Sequence, residues 1–209
     1  MFESITEAII EMDEMKVSDL VHKALQERND PSDILEMGLI PGMKEVARLF
    51  VRKEYYVPEV LLASESFYAG FNIIIPLIRS SGKQLKAKVV MGVVEGDIHD
   101  IGKNIVKVMF EASGYEVIDL GRDVPNAKFI DAVEREGPKI LALSSLMTTT
   151  MTRMQEIIEM LERGHLRDGL RVLVGGAPVN EEFARKIKAD GYSPDAPSAV
   201  QLADELICG

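Results

Sequence analysis

A histidine and an acidic residue lie close together in a short segment that joins an apolar run to a helix with glycine in its first turn. The segment is Val93-Val94-Glu95-Gly96-Asp97-Ile98-His99-Asp100-Ile101-Gly102-Lys103-Asn104. A histidine that binds a metal presents one ring nitrogen as a lone pair, so the other nitrogen must donate its proton to a fixed acceptor. Asp97 is the candidate acceptor, and its negative charge raises the basicity of the imidazole. The pair predicts a loop that can hold a flat cofactor, with His99 as a candidate metal ligand.

Taken alone, these residues also allow plainer interpretations. Asp97 and Asp100 are both suited to capping a helix, which would leave His99 as an exposed loop residue. Gly102 permits the close approach of a ligand, but equally that of a strand. The pair Gly175-Gly176 follows an apolar run, and a tight turn explains it as well as a ligand does.

Length and composition describe an ordinary globular protein. The 209 residues are 46% hydrophobic and 28% charged, which fits one or two compact cores, and we expect two. No stretch approaches the roughly 20 consecutive apolar residues of a membrane span. The sequence begins Met-Phe-Glu-Ser, with acid near the start and no basic-then-apolar pattern, so we expect no secretory signal and a soluble, cytoplasmic protein.

Charge and cysteine content exclude two further classes of site. The net charge is −10, and basic residues are not concentrated anywhere, so nucleic acid is not an expected partner. The single cysteine, Cys208, cannot form an intramolecular disulfide and has no neighbour for metal binding.

Residues 2–80 show apolar residues at helical spacing, which predicts a bundle of three or four helices. Three breaks divide this part of the chain. The first is the turn 29–32, with Ser32 or Asp33 as the helix cap; the second is Pro41-Gly42, which interrupts or restarts a helix; the third is Pro58, which suits the first turn of the last helix.

A polar segment, residues 80–86, separates this bundle from a region of different periodicity, so we place a domain boundary near residue 85. Short apolar runs then alternate with helical patterns, which predicts a parallel sheet covered by helices on both faces. The predicted strands are 88–94, 116–120, 140–145 and 171–174, with a short fifth strand near residue 192. The predicted helices are 101–113, 126–136, 150–164, 180–190 and 198–207. The fold class is therefore α/β: an N-terminal helical bundle, residues 1–85, followed by a doubly wound, flavodoxin-like domain, residues 86–209.

This topology predicts where the candidate residues meet. In doubly wound sheets a ligand binds outside the carboxyl ends of the strands, where the strand order reverses. His99 follows the first predicted strand and Ser144 closes the third. In a flavodoxin-like order those two strands flank the reversal, so both residues should converge on one crevice.

Four motifs together strongly resemble the cobalamin-binding module of methionine synthase and of the corrinoid proteins of anaerobic methyl-transfer systems. They are the segment 95–106, Leu143-Ser144-x-Leu146, Val174-Gly175-Gly176-Ala177, and residues 191–196. The resemblance covers nearly the whole chain, because these families also carry an N-terminal bundle that caps the upper face of the corrin. Residues 36–43, 49–50 and 55–60 are similar to that cap.

The resemblance implies a cobalamin or related corrinoid bound base-off and His-on. His99 would be the lower axial ligand of cobalt, with Asp97 beside it, and the nucleotide tail would enter a slot in the α/β domain. In methionine synthase a serine joins the histidine and the aspartate; the matching residue is Thr150, which keeps the hydroxyl and leaves the relay geometry open. The residues implied to contact the cofactor are Glu36, Phe50 and Val57 in the cap, and Gly96, Asp97, Ile98, His99, Asp100, Gly102, Ser144, Leu146, Thr148, Gly175, Gly176 and Ala196 in the sheet domain. Helical spacing alone explains Phe50, Val57 and Met43 equally well as bundle core.

A methyl carrier is the function that this resemblance implies. Such a protein cycles between Co(I) and methyl-Co(III) and transfers a methyl group from a substrate-specific methyltransferase to a second methyltransferase that acts on a thiol or tetrahydrofolate. It also meets a reductive activation protein, and without these partners it is not expected to be catalytic. The bundle must move aside for them, with a hinge expected near residues 80–86. The methyl donor stays open among methanol, methylamines, betaines and aryl methyl ethers.

Three other functions share parts of this pattern. A cobalamin-dependent transcriptional sensor needs a DNA-binding domain and a cap tryptophan, and this chain has no tryptophan. The small subunit of an adenosylcobalamin mutase usually lacks such a cap. A flavodoxin-like interaction domain would bind no corrinoid at all, and an absorbance spectrum of the purified protein distinguishes it.

Overall fold

The computed structural model describes residues 1–81 and 85–208. Its contacts divide the chain into two compact units, residues 1–84 and 85–209, which are described separately below. The predicted hinge near residues 80–86 includes residues 82–84, which lie outside the described residues, as does the side chain of Cys208.

The described residues of the first unit form helices joined by short turns. Its α-helices are α1 (Phe2–Ile10), α2 (Glu14–Gln26), α3 (Pro31–Ile34), α4 (Ile40–Val51) and α5 (Val57–Ser80). A π-helical turn, Leu35–Leu39, joins α3 to α4. The count exceeds the predicted three or four because α3 is only one turn long and has little periodicity of its own.

Proline and aspartate set the helix boundaries in this unit. Asp30 caps α3 by accepting a hydrogen bond from the Ser32 amide at 2.8 Å, so the prediction of Ser32 or Asp33 as the cap was wrong. A proline at the first helical position makes the residue before it the natural cap. Pro41 lies in the first turn of α4, directly after the π-helical turn, and Pro58 lies in the first turn of α5, as predicted.

Helix α5 is long and apolar enough, between Val57 and Ile78, to meet the length and composition criteria for a membrane span, and no other helix among the described residues does so. Its buried residues recur at helical spacing and belong to the core of the bundle: Val60, Ala63, Phe67, Phe71, Ile74 and Ile78. This amphipathic pattern is that of a core helix in a packed bundle.

The second unit is an all-parallel sheet of five strands in the order β2-β1-β3-β4-β5, which confirms the flavodoxin-like prediction. The strands are β1 (Lys88–Val93), β2 (Glu116–Asp119), β3 (Ile140–Ser144), β4 (Arg171–Gly175) and β5 (Gly191–Tyr192). The helices are α6 (Ile101–Glu111), α7 (Asn126–Glu136), α8 (Thr152–Arg163), α9 (Glu181–Lys186) and α10 (Ala196–Cys208).

Helices cover both faces of this sheet. Val90, Leu141 and Val172 pack on one face against buried residues of α7, α8 and α9. Val89, Met91 and Leu173 pack on the other face against α6 and α10. Because the central strands are buried on both sides, their sequences are continuously apolar rather than alternating.

Candidate functional site

The predicted convergence of strand ends is present in the sheet. The strand order reverses between β1 and β3, and Val93 at the end of β1 pairs with Ser144 at the end of β3. Ser144 in turn pairs with Gly175 at the end of β4. The loops that carry His99, Leu146 and Gly176 therefore leave the same edge of the sheet side by side, at the position where such folds bind ligands.

Asp97 is the centre of this edge. Its side chain is fully buried, although it directly follows the exposed Gly96. One carboxylate oxygen, Oδ2, accepts hydrogen bonds from the backbone amides of Leu146 at 2.6 Å and Met147 at 3.2 Å. The hydroxyl oxygens of Ser145 and Thr150 lie 3.2 Å and 3.1 Å from the same oxygen. Asp97 is thus not a helix cap but a buried anion held by the loop after β3.

The other oxygen of Asp97 orients the histidine. Oδ1 lies 2.8 Å from Nδ1 of His99 and accepts the backbone amide of His99 at 3.1 Å. A carboxylate can only accept here, so Nδ1 carries a proton, and in the neutral imidazole Nε2 then carries the lone pair. The His99 side chain is 48% exposed, and among the hydrogen bonds of the described residues its ring takes part only through Nδ1, which leaves Nε2 available to an outside ligand. This is the tautomer and orientation that a metal ligand needs.

Hydrogen bonds keep Asp97 ionised. Burial raises the pKa of this carboxyl, but the hydrogen bonds from the Leu146 and His99 amides, the His99 ring and the Thr150 hydroxyl outweigh burial and hold the pKa well below its ordinary value. The site therefore keeps a negative charge against His99 across the physiological range of pH.

The surface around His99 is apolar and open. Ile98 and Ile101, which flank it in the chain, are 61% and 58% exposed, and Leu146, whose amide binds Asp97, is 46% exposed. Gly102 lies in the first turn of α6, and a Cβ built there would have no described atom within 4 Å. No described protein atom requires a glycine at this position, and a role for Gly102 in cofactor contact stays a prediction.

Gly176 has a different explanation. Its φ is +119°, and a Cβ at this position would lie 1.8 Å from the carbonyl oxygen of Ser145. The glycine allows the loop after β4 to pass directly over the loop after β3. The alternative of a tight turn thus has a packing basis, while a part for Gly176 in lining a cofactor channel stays a prediction.

The other predicted residues occupy varied positions. Thr148 and Asp100 lie in the loops at this edge, Thr148 exposed and Asp100 half-buried at the N-cap of α6, without a side-chain capping bond. Ala196 begins α10 and is buried. In the helical unit, Glu36 is exposed in the π-helical turn, Phe50 is half-buried and Val57 is 39% exposed, whereas Met43 is fully buried in the core.

Ser145 is a site residue that the sequence analysis did not select. It is fully buried, and its hydroxyl lies 2.8 Å from that of Thr150 as well as beside Asp97. The available signal was a second hydroxyl residue directly after Ser144 at the end of an apolar strand. Thr150, which was selected, does bring its hydroxyl to the carboxylate.

Comparison with known proteins agrees with this geometry. Two family models, both described as a B12 binding domain, match residues 87–201 and residues 1–75. The chain is 40% identical to a corrinoid protein of Desulfitobacterium hafniense, over 99% of this chain and 97% of that protein. It is 39% identical to dimethylamine corrinoid protein 2 of Methanosarcina acetivorans, over 100% and 97% of the two chains. The chain belongs to the family of cobalamin-binding corrinoid proteins.

A solved structure supports the same assignment. The methanol:cobalamin methyltransferase complex of Methanosarcina barkeri contains a chain with a TM-score of 0.87 and 35% identity, covering 99% of this chain and 79% of that one. The cofactor of this corrinoid protein is cobalamin or a related corrinoid. Its residues fit that group: a half-exposed histidine is hydrogen-bonded through Nδ1 to a buried anion, among exposed apolar side chains and beside a glycine with open space around it.

Proposed function

We propose that this corrinoid protein carries a methyl group between two methyltransferases, with the cofactor held base-off and His99 as the lower axial ligand of cobalt. Bound cobalamin supplies the methyl-transfer chemistry. The protein supplies a fixed imidazole below the ring, a buried carboxylate that sets its tautomer, and an open edge of the sheet for the nucleotide tail.

The observation that carries this proposal is the hydrogen bond of 2.8 Å between Nδ1 of the half-exposed His99 and the fully buried Asp97. Burying a carboxylate costs desolvation free energy, and an exposed histidine without a function would not require a buried carboxylate beside it. Here the carboxylate has a complete set of hydrogen-bond donors behind it, so its position and charge are fixed before any cofactor arrives. Such preorganised outer partners are typical of histidine ligands to metals.

The hydroxyls of Thr150 and Ser145 also hold the Asp97 carboxylate. Their hydroxyls lie within hydrogen-bond distance of Asp97 and of each other, which allows a proton to be shared along the set when the ligation of His99 changes. We propose Thr150 for the part that the serine plays in methionine synthase, with Ser145 as a second hydroxyl in the same set.

The partners are proposed from the relatives. Proteins similar to this chain are named for dimethylamine or were solved in a complex for methanol, and each name refers to that protein alone. We propose a substrate-specific methyltransferase as the donor partner, a second methyltransferase that acts on a thiol or tetrahydrofolate as the acceptor partner, and a reductive activation protein. We propose the cytoplasm as the place where they meet.

The axial ligand is tested by anaerobic reconstitution of the protein with hydroxocobalamin. Wild type should bind one corrinoid that has lost its benzimidazole ligand, and the EPR spectrum of the Co(II) form should show one axial nitrogen from the protein. His99→Ala should lose that nitrogen. His22→Ala, which changes an exposed histidine of α2, should keep it. An unchanged nitrogen signal in His99→Ala would show that another residue binds the cobalt.

The methyl donor is tested by methyl loading. The reconstituted, reduced protein is mixed with purified methyltransferases for methanol, methylamines, betaine or aryl methyl ethers, each with its substrate. We expect rapid loading by one class of partner and slow or no loading by the others. Loading by none of them, with cofactor bound and reduced, would contradict the carrier function.

A further inference from the structure

The loop that carries His99 is held from a second side, by the turn that follows β2. The side chain of Asp123 accepts a hydrogen bond from the Gly96 amide at 2.7 Å. The amide of Asp123 donates to the carbonyl oxygen of Asp97 at 2.9 Å. One residue therefore holds the backbone on both sides of the Gly96 to Asp97 peptide, while the loop after β3 holds the Asp97 carboxylate.

This turn is itself fixed to β1. The anchoring hydrogen bonds run from Leu120 N to Met91 O at 2.8 Å, from Val93 N to Gly121 O at 3.0 Å, and from Val124 N to Val93 O at 3.0 Å. Val94 and Val124 also form a parallel bridge. Asp123 thus lies in a turn that is hydrogen-bonded to β1. These bonds make the turn a rigid support for the loop that follows β1.

An ion pair ties the same turn to α6. Lys103, whose side chain is 3% exposed, donates to Asp119 at 2.6 Å, and Asp119 also accepts the Gly121 amide at 2.9 Å. Lys103 lies one helical turn after His99. The segment from Gly96 to Lys103 is therefore held by the β2 turn at both of its ends.

The backbone of Asp123 adopts an unfavourable conformation in this arrangement. Its φ is +51°, in the left-handed region that most residues avoid and that aspartate tolerates better than most. The conformation directs both the amide and the carboxylate of one residue at the His99 loop. Since few residues can adopt it and also supply an acceptor at this reach, aspartate or asparagine suits this position best.

We propose that Asp123 is a positioning residue for the cobalt ligand. It fixes the backbone between β1 and His99, so that the imidazole stands at the correct height and angle when the corrinoid binds. This inference rests on the proposed function, because it assigns His99 as the axial ligand. Outer partners of a metal-bound histidine commonly change ligation about 10-fold to 100-fold when they are removed, and Asp123 lies one residue further out, so we expect the lower end of that range.

The test compares Asp123→Asn with Asp123→Gly. The asparagine keeps an oxygen that can accept from Gly96 and tolerates the same φ, whereas the glycine removes the acceptor without adding backbone strain. Asp168→Gly is the matched control, because Asp168 is an exposed turn residue before β4 with no hydrogen bond among those of the described residues. Each variant is reconstituted with hydroxocobalamin, and EPR of the Co(II) form measures the ratio of His-bound to His-free cobalt.

We expect Asp123→Gly to lower that ratio about 10-fold, and Asp123→Asn and Asp168→Gly to match wild type. A wild-type ratio in Asp123→Gly overturns the proposal. So does a ratio in Asp123→Asn as low as in Asp123→Gly, because the hydrogen bond to Gly96 would then not be the cause. If Asp123→Gly does not fold, Asp123→Ser takes its place, because the serine oxygen lies one bond short of the carboxylate oxygen: a lowered ratio supports the proposal and a wild-type ratio overturns it.

A second measurement separates this inference from the proposed function. In the cofactor-free protein, NMR should show that exchange of the Gly96 amide proton is about 10-fold faster in Asp123→Gly than in wild type or Asp123→Asn, with weaker order at the His99 ring. If wild-type protein shows no axial nitrogen, the proposed function fails, and the cofactor-free measurement alone decides whether Asp123 positions the His99 loop. Unchanged exchange and an unchanged ring would then overturn it.

Discussion

Replacing Asp97 with asparagine should invert the tautomer of His99 at a modest cost in stability. The substitution keeps the shape of the side chain but turns one acceptor oxygen into an NH2 group. That group must take the place of either Oδ2 or Oδ1, and the two places differ in their neighbours. The structure allows the free energy of each placement to be compared.

With the NH2 group at the Oδ2 position, it would face the backbone amides of Leu146 and Met147, which can only donate. The Ser145 and Thr150 hydroxyls can rotate to accept, but the two amides would be left buried without partners. Each costs about 1–3 kcal/mol, so this placement costs about 2–6 kcal/mol.

With the NH2 group at the Oδ1 position, it faces the His99 amide and Nδ1. Only one backbone amide loses its partner, at about 1–3 kcal/mol. The ring can satisfy the NH2 group if Nδ1 becomes the acceptor, which moves the proton to Nε2. This cheaper placement should be the one adopted, and it removes the lone pair that would bind cobalt.

Three measurements check this reasoning, with Asp168→Asn, at an exposed turn residue, as the control. Urea unfolding of the cofactor-free protein should show Asp97→Asn destabilised by about 1–3 kcal/mol. Nitrogen-15 NMR should show His99 protonated at Nε2 instead of Nδ1, and the Co(II) EPR spectrum after reconstitution should lack the axial nitrogen. A variant that kept the Nδ1-protonated ring and the nitrogen signal would refute the argument that Asp97 sets the tautomer.

Further expectations follow from the same contacts. Gly176→Ala should destabilise the cofactor-free protein by about 3 kcal/mol or more in urea unfolding, because its Cβ would strike the Ser145 carbonyl at a φ of +119°. Gly102→Ala should leave that stability unchanged or raise it by up to about 1 kcal/mol, yet weaken corrinoid binding in a titration; equal affinity would exclude a close ligand there. Because the pKa of Asp97 is held well below its ordinary value, its carboxylate stabilises the fold above about pH 5, and the difference in stability between wild type and Asp97→Asn should narrow steadily as the pH falls below that value. Ser145→Ala and Thr150→Ala should each cost about 1 kcal/mol, since three donors to Oδ2 remain in either variant; a loss above about 3 kcal/mol for either one would mean that the hydroxyls act on more than Asp97.

Patterns that depend on periodicity were predictable from the sequence. The strands β1 to β4 begin at the predicted residues. In β1, β3 and β4 burial on both faces produces continuous apolar runs, whereas β2 is an edge strand without such burial. The position of the segments that carry His99 and Ser144 at one edge of the sheet followed from topology alone. The helical unit was less predictable, since α3 is a single turn and the π-helical turn after it depends on tertiary packing more than on a repeat in the sequence.

Backbone partners account for most of what the sequence could not reveal about the site. Two of the donors that hold Asp97 are the amides of Leu146 and Met147, and an amide is present in any residue except proline, so it leaves no mark in the sequence. Asp123 was missed for the same reason, because its partners are backbone groups brought near by the strand order rather than by proximity in the chain.

Gly176 is a residue whose type does reflect the backbone arrangement at the site. As a motif, Gly175-Gly176 fits a turn or a ligand channel. Both interpretations explain the glycine by the backbone or the ligand at position 176 alone. In the structure the glycine is explained by a neighbour, because the Ser145 carbonyl occupies the volume that a side chain at position 176 would need. That carbonyl belongs to the loop whose next two amides hold Asp97, so a side chain at 176 would displace the donors rather than block a channel. The two explanations predict different outcomes for Gly176→Ala: a cofactor-free protein that is already destabilised if the glycine serves the loop, and one that is stable but binds corrinoid weakly if it serves only the channel.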